Sequence, residues 1–394
     1  MNRDEFLQML SKEGQSLLAQ IDYNTKLDIV KTITNLRAQG HDPALIASAL
    51  SQAKLRKQAQ AKFGEFAGRM FFTEAALEQA SRLQVAALHA NRFKQAGIKE
   101  VADLGCGIGA ESLAFASLDL KVTAYELDEV TAAIAAYNLA IFENAKAINE
   151  DVTKIDLTKH QALFFDPARR NSKARLFNPQ DFSPNFDWVI DQAKQKPSGI
   201  KLGPGHPHNQ IPEEAEAQWV SVDGDLVELS LWFNETRRPE VKRSALLITK
   251  DAKHELKTNE KEQPAPTGEL GQYIHEPDNA VIRSHLIDQL AEETNTHTID
   301  PHIAYLSSNL EVNSPWLKSY RVIKEMPFDR KQLKAYIKQN DIGTLEIKKR
   351  GADITPEQLR KELNPKGPNR STLIITRIGD AHRAIFTNSR HPDP

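Results

Sequence analysis

The chain has 394 residues, 40% hydrophobic and 26% charged, which is too long for one small module and apolar enough for a sizeable core, so two or three domains are expected. Its single cysteine, Cys106, excludes a disulfide-built secreted scaffold and thiolate metal sites, and no run approaches the roughly 18 apolar residues that span a bilayer, making a soluble cytoplasmic protein the default. The 51 basic and 53 acidic residues nearly cancel, yet Trp316 to Arg390 holds 17 Lys and Arg against 8 Asp and Glu, an excess found on nucleic-acid-binding surfaces and also on plain solvated faces.

From Asp4 to about Ala96 the apolar spacing predicts helices, as in Ile29, Ile33, Leu36 and again in Leu77, Ala80, Leu83, Ala87. Asp42-Pro43 reads as a helix start. Thr73 is expected to cap the helix that opens at Phe71-Phe-Thr-Glu74 and contains Leu77 to Ala90. After Gly97, short apolar runs at Glu100–Leu104, Val122–Glu126, Ala162–Asp166, Gly199–Leu202, Leu226–Phe233 and Ser244–Thr249 alternate with helical stretches, the pattern of a parallel-type α/β sheet. The last two runs are joined by too few residues for a helical crossover, which predicts an antiparallel hairpin between them at the sheet edge. Polar residues from Asp251 to Gly271 read as a linker. Beyond it a helix near Asp278–Glu292, a helix near Asp329–Gln339 and strands at Leu345–Lys348 and Thr372–Ile378 form a smaller α+β domain. The expected division is therefore 1–96, 97–251, a linker at 252–272, and 273–394.

The sharpest motif is Val101-Ala-Asp-Leu-Gly-Cys-Gly-Ile-Gly109, a strand entering a glycine-rich turn and leaving into a helix. Gly105, Gly107 and Gly109 allow a tight turn and close backbone approach to a ligand, but their G-x-G-x-G spacing differs from the dinucleotide G-x-G-x-x-G. Asp103 would meet a cationic amino group. Glu126, followed by Leu127 at the end of the second strand, suits a ribose diol, and Asp151-Val152 after the third strand suits an adenine amino group; singly, Glu126 and Asp151 also read as local caps. Cys106 is expected to pack, with its backbone N–H facing the ligand. The fourth strand ends in Asp166-Pro167-Ala-Arg169-Arg170, where an acid at the C-terminal sheet edge marks an active site. The two arginines suit stacking on a base, gripping phosphate, or plain surface exposure. His206 and His208 lie in Gly-Pro-Gly-His-Pro-His, a rigid substrate-facing loop in preference to a metal site. Lys348, Lys349, Arg350, Lys366, Arg370 and Arg377 stand near glycines, where backbone and cation can approach phosphates.

The glycine loop and its three acids resemble those of the class I S-adenosylmethionine-dependent methyltransferases. Together with Phe-Phe-Thr-Glu74, Asp-Pro-Ala-Arg-Arg170, Gly-Pro-Gly-His-Pro-His208, Glu276-Pro-Asp-Asn-Ala-Val-Ile-Arg283 and Ile347-Lys-Lys-Arg-Gly351, they make the chain from about Lys62 to Arg377 similar to bacterial methyltransferases with a C-terminal THUMP-like domain. The resemblance implies an α/β fold with a Rossmann-like seven-stranded sheet, its seventh strand inserted antiparallel, between a helical N-terminal region and a smaller α+β domain. It implies S-adenosylmethionine held by Asp103, Gly105, Cys106, Gly107, Gly109, Glu126, Leu127, Asp151, Val152 and Asp166. Asp166, Pro167, Arg169 and Arg170 would face the acceptor, while His206, Lys348, Lys349, Arg350 and Arg370 would contact the substrate. THUMP-type modules are associated with RNA, so tRNA or rRNA is the implied partner, with neither metal nor membrane. Amino-methylating relatives commonly carry D-P-P and an aromatic where this chain has Asp166-Pro167-Ala168-Arg169. C5-methylation of a pyrimidine needs a cysteine nucleophile, and the sole cysteine lies in the cofactor loop, so transfer to nitrogen is expected. The alternatives are a methyltransferase for a small molecule or protein, and a non-catalytic cofactor-binding protein that interacts with RNA.

Overall fold

The computed structural model describes residues 1–24, 27–167 and 182–388. They divide into two compact units, the first comprising Met1–Leu202, Pro212–Ala215 and Leu231–Arg237, the second the remainder.

The first unit opens with six helices: α1 (Arg3–Leu10), α2 (Lys12–Gln20), α3 (Ile29–Ala38), α4 (Pro43–Phe63), α5 (Glu74–Gln79) and α6 (Leu83–Gln95). Asp42 caps α4, with Pro43 in its first turn, and Thr73 caps α5 by accepting from Ala76 N–H at 3.2 Å. The single helix predicted across Leu77–Ala90 is instead broken between α5 and α6. Lys62 Nζ donates to the carbonyls of Leu77, Glu78 and Ala80 at 2.8, 2.8 and 2.6 Å, and a lysine bound to these oxygens displaces the N–H groups that a continuing helix would bring to them. Burial, with Lys201 and Arg82 nearby, pushes Lys62 down to about 8.

Strands and helices then alternate as β1 (Glu100–Leu104), α7 (Ala110–Ser117), β2 (Lys121–Glu126), α8 (Glu129–Leu139), β3 (Ala145–Asn149), β4 (Ala162–Phe165), α9 (Phe186–Ala193) and β5 (Ser198–Leu202). β1 lies between β2 and β4, parallel to both, with Asp103 opposite Ala124 and Phe164. Its residues are buried on both faces, as a central parallel strand requires. Phe93, Val101, Phe115, Phe164 and Trp232 fill one side of this unit, while Phe6, Phe63, Phe71, Phe72, Ile108 and Leu139 join the N-terminal helices to the glycine loop and α8. Gly199 is required in β5, because a Cβ there would come within 2.8 Å of the Trp232 ring.

The next strands are β6 (Glu216–Val222), β7 (Asp225–Phe233), β8 (Arg243–Ile248) and β9 (Lys253–Thr258). In the first unit the order is β3-β2-β1-β4-β5-β7, the last through residues 231–233; in the second it is β7-β6-β8-β9. The inserted seventh strand implied by the class I resemblance is present, since β7 pairs with both β5 and β6, but the order extends through β8 and β9 to nine strands where seven were implied. The hairpin predicted between Leu226–Phe233 and Ser244–Thr249 does not form. β7 instead turns back on β6 through Asp223-Gly224, both at positive φ (52° and 86°), the two-residue turn that suits antiparallel strands. β8 runs parallel to β6 and antiparallel to β9, and β9 lies within the stretch read as linker. β6 escaped the sequence reading because polar residues interrupt its apolar ones; each is buried against a partner, Glu216 by Arg238 at 2.6 Å, Gln218 by Glu255 at 2.9 Å and Ser221 by Asp278 at 2.6 Å.

The second unit continues with β10 (Tyr273–Pro277), α10 (Asn279–Arg283), α11 (Ile287–Thr294), β11 (His297–Asp300), β12 (Ile303–Ser308), β13 (Leu317–Pro327), α12 (Arg330–Gln339), β14 (Ile342–Lys349), α13 (Pro356–Leu363), β15 (Asn369–Ile378) and β16 (Ala381–Thr387). Its sheet runs β11-β12-β10-β13-β16-β15-β14. Leu333, Ile337, Leu359 and Leu363 bury the inner faces of α12 and α13 with Leu345, Leu373 and Phe386, while Ile274, Tyr305, Tyr320 and Ile385 form a second apolar cluster. The helix predicted over Asp278–Glu292 is two helices, broken where His285 takes a φ of 55°. Among the described residues no helix is long and apolar enough to cross a membrane.

Candidate active site

A cavity of about 560 Å³ opens at the carboxyl ends of β1, β2, β4 and β5, with Asp103, Glu126, Asp151, Asp166 and Lys201 on its wall. This is the edge where open α/β sheets bind ligands. Of the ten residues expected to hold a cofactor, the wall brings together nine, from Asp103 through Asp166; Gly109 is not among them, and caps α7 at φ 86° against Leu139.

The loop is fixed by its own amides. The N–H groups of Gly105 and Cys106 both donate to the Tyr125 carbonyl, at 2.9 and 3.0 Å. The expectation that the Cys106 N–H faces a ligand is thereby corrected: β2 takes it. The Cys106 side chain is 7% exposed, and burial, reinforced by nearby carboxylates, holds its thiol well above the ordinary range. Gly105 combines φ 90° with a close approach, since a Cβ there would lie 2.9 Å from the Asp166 carbonyl oxygen. Gly105→Ala is therefore expected to destabilise the fold by about 1–3 kcal/mol and to weaken S-adenosylhomocysteine binding at least about tenfold, measurable by thermal melting and calorimetry. Unchanged affinity would show that the loop tolerates a side chain at this approach.

Each acid has a distinct environment. Glu126 accepts from Gly107 N–H and Asp128 N–H, both at 3.0 Å; burial raises its carboxyl despite these bonds. Asp151 accepts from the N–H and hydroxyl of Thr153 at 3.0 and 2.7 Å and pairs with Lys154 at 3.1 Å, so Thr153 above all draws its carboxyl below the ordinary range. It thus also serves the local turn that the sequence left open for it. Asp103 is fully buried. Its Oδ2 accepts from Ser112 Oγ at 2.5 Å, while Oδ1 is buried without a hydrogen-bond partner among the described residues. Desolvation pushes this carboxyl up to about 8. A buried acceptor oxygen lacking a donor is costly, and one on a cavity wall fits a cationic ligand group.

Two buried charged groups on the wall, Glu111 and Lys201, were not singled out from the sequence. Glu111, 4% exposed, accepts from His89 Nδ1 at 3.0 Å; burial raises its carboxyl, but His89 outweighs that and leaves it below the ordinary range. Lys201, 5% exposed, pairs with Asp166 at 2.5 Å. The available signal was a lone charge in an otherwise apolar run, Ala110-Glu-Ser-Leu-Ala-Phe for Glu111 and Ser198-Gly-Ile-Lys-Leu for Lys201.

Pro167 is described but is not on the cavity wall, and Arg169 and Arg170 lie outside the described residues. His206, Lys348, Lys349, Arg350 and Arg370 belong to the second unit. There, Arg283 donates to the carbonyls of Pro204 and His206 at 3.2 and 3.1 Å, which ties the Glu276–Arg283 motif to the Gly-Pro-Gly-His-Pro-His loop. His208 stacks on Trp219 and His285, at 4.9 and 4.0 Å between centroids, and burial pushes it down to about 4. Lys348 pairs with Glu276 at 2.8 Å, and Arg350 reaches the same carboxylate at 3.7 Å while lying over Tyr305. Both are directed inward, whereas Lys349 and Arg370 are exposed. Among the described residues no group of three His, Cys, Asp or Glu side chains is placed to hold a metal ion.

The THUMP domain-like family matches residues 317–389, and Domain of unknown function (DUF8688) matches residues 2–59. A protein of Mycobacterium tuberculosis named an uncharacterized S-adenosylmethionine-dependent methyltransferase is 29% identical over 337 residues, 82% of this chain and 91% of that protein. Ribosomal RNA small subunit methyltransferase A of Streptococcus pneumoniae is 37% identical over 67 residues, 17% of this chain and 23% of that enzyme. A crystal structure of a protein from Porphyromonas gingivalis W83, described as a methyltransferase, shares the fold with a TM-score of 0.70 at 19% identity, covering 89% of this chain and 92% of its own. By its sequence relatives, its sheet order and its C-terminal match, this chain is a homologue of the S-adenosylmethionine-dependent methyltransferases that carries a THUMP-like C-terminal domain.

Proposed function

We propose that this S-adenosylmethionine-dependent methyltransferase acts on a base nitrogen in structured RNA, tRNA or rRNA. The observation that carries the cofactor side is Asp103 Oδ1, a buried acceptor of a cavity-wall residue with no donor among the described residues. S-adenosylmethionine supplies an electrophilic methyl group on a sulfonium. Asp103 would accept from its ammonium group, Glu126 from ribose hydroxyls and Asp151 from the adenine amino group, while Gly105 and Gly107 keep the wall free of side chains. Asp166 faces the acceptor, and nitrogen attack requires alignment and exclusion of water more than a covalent helper. Cys106 supports nitrogen over a pyrimidine carbon, because a buried thiol held in its neutral form is a poor nucleophile.

RNA is supported by the THUMP domain-like segment and by exposed cations within it. Lys331, Lys334 and Lys338 share one exposed face of α12, and Lys349, Lys366 and Arg370 are exposed as well. The partial similarity to a ribosomal RNA methyltransferase points the same way. The test is transfer of labelled methyl from S-adenosylmethionine to total RNA from cells lacking the protein, followed by nucleoside mass mapping. Label in a methylated base nitrogen is expected; no label in RNA would overturn the RNA assignment. Replacing Lys331, Lys334 and Lys338 together by Glu should weaken RNA binding at least about tenfold at low salt and reduce the salt slope by about three. S-adenosylhomocysteine affinity should stay unchanged.

A further inference from the structure

The ion pair between Lys201 and Asp166 has no role in the binding scheme above. Lys201 lies in β5, every residue of which is buried, and its Nζ also donates to Ser81 Oγ at 3.1 Å and to the Gln79 carbonyl at 3.3 Å. Asp166 is held by its main chain, whose N–H donates to the Leu104 carbonyl at 3.2 Å and whose carbonyl stands against Gly105. Both side chains line the same cavity as Asp103, and both act electrostatically on Asp103, with opposite signs. The pair therefore stands at the end of the cavity where the cationic amino-acid part of the cofactor is expected.

We infer that Lys201 sets the preference of the cavity between the two forms of the cofactor, neutralising Asp166 so that the sulfonium donor is not held in excess over the neutral thioether product. The inference rests on the cofactor reading above. Donor and product differ by one methyl group and one positive charge. A lone carboxylate in a partly dry cavity attracts a nearby cation strongly, and stabilising the charged reactant more than the transition state, in which that charge is being discharged, slows transfer. A carboxylate closed by an ammonium at 2.5 Å presents a dipole in place of a net charge. Asp166 can then face an acceptor without trapping the donor. Ser81 and Gln79 hold the ammonium in the direction this requires, which makes Lys201 a specificity-determining residue and Ser81 a positioning one.

The test is acceptor-independent. Full-length protein is titrated calorimetrically with S-adenosylmethionine and with S-adenosylhomocysteine, and the ratio of the two dissociation constants is compared among variants. Lys201→Met should shift the ratio about tenfold toward the sulfonium, Asp166→Asn should shift it by a similar factor toward the thioether, and the double variant should return to within about twofold of wild type. Lys201→Arg keeps the charge and should keep the ratio. A merely structural role for Lys201 would weaken both ligands alike. Should Lys201→Met fail to fold, Asp166→Asn and the double variant still decide the matter. A ratio unmoved in the folded single variants overturns the inference while leaving the cofactor reading intact. Binding of neither ligand by wild type overturns that reading itself.

Discussion

Asp103→Asn is expected to weaken cofactor binding about a hundredfold while making the ligand-free protein more stable at neutral and alkaline pH. In the folded chain this carboxyl titrates near 8 instead of near 3.8, chiefly through burial. Between those values the unfolded chain gives up the proton that the folded chain keeps. Stability contributed by the protonated form is complete below about 4 and is lost as pH rises through about 8. An amide never ionises, so the variant should overtake wild type across that window, with a gap on the order of a few kcal/mol above pH 8. The loss in binding follows from the same buried oxygen. A charge-assisted hydrogen bond to an ammonium is absent in the variant, and affinity for S-adenosylhomocysteine should fall about a hundredfold. Wild type should also release close to one proton on binding near pH 7, visible as a dependence of the calorimetric heat on buffer ionisation enthalpy; the variant should release none. A variant that binds as tightly as wild type would sink the assignment of Asp103.

His89→Ala should produce the largest loss of stability. His89 and Glu111 are almost wholly buried and 3.0 Å apart, and removing one partner of such a pair strands the other's charge, a cost of about 3–5 kcal/mol. The ring also packs against Phe164 and Trp232, at 5.3 and 5.6 Å between centroids, so a void adds to the loss. The folded value of the Glu111 carboxyl is depressed. Its contribution is therefore present above its unfolded value and disappears as pH falls through the folded one. Denaturation midpoints should show the largest deficit of the variant at neutral pH and a smaller one under acid conditions. Adding Glu111→Gln should recover part of the loss, because an amide has no charge to strand. A deficit below about 1 kcal/mol at pH 7 would mean that water reaches Glu111.

What could be read from the sequence was local. β1 has the predicted bounds Glu100–Leu104, and the glycine turn runs into α7 as expected, because strand periodicity, positive-φ glycines and a following helix lie within twenty residues. The caps at Asp42 and Thr73 were legible for the same reason. What was hidden depends on contacts across the chain. The break after α5 is made by Lys62, fifteen residues before the first carbonyl it binds. β6 hides because its buried polar residues find Arg238, Glu255 and Asp278. Lys201 read as one more residue of the Gly199–Leu202 strand until the sheet set β5 beside β4, and Lys348 and Arg350 counted toward a basic surface before Glu276 drew them inward.

The lysine clamp on the carbonyls after α5 has a consequence for anyone trimming this protein. Gln79, Ala80 and Ser81 belong to the cavity wall, and the residue that shapes their backbone comes from α4, upstream of the first β-strand. A shortened version starting near residue 97 would keep every glycine of the loop yet leave one side of the pocket without walls. Such a fragment should be tested for ligand uptake before it replaces the whole chain in any screen.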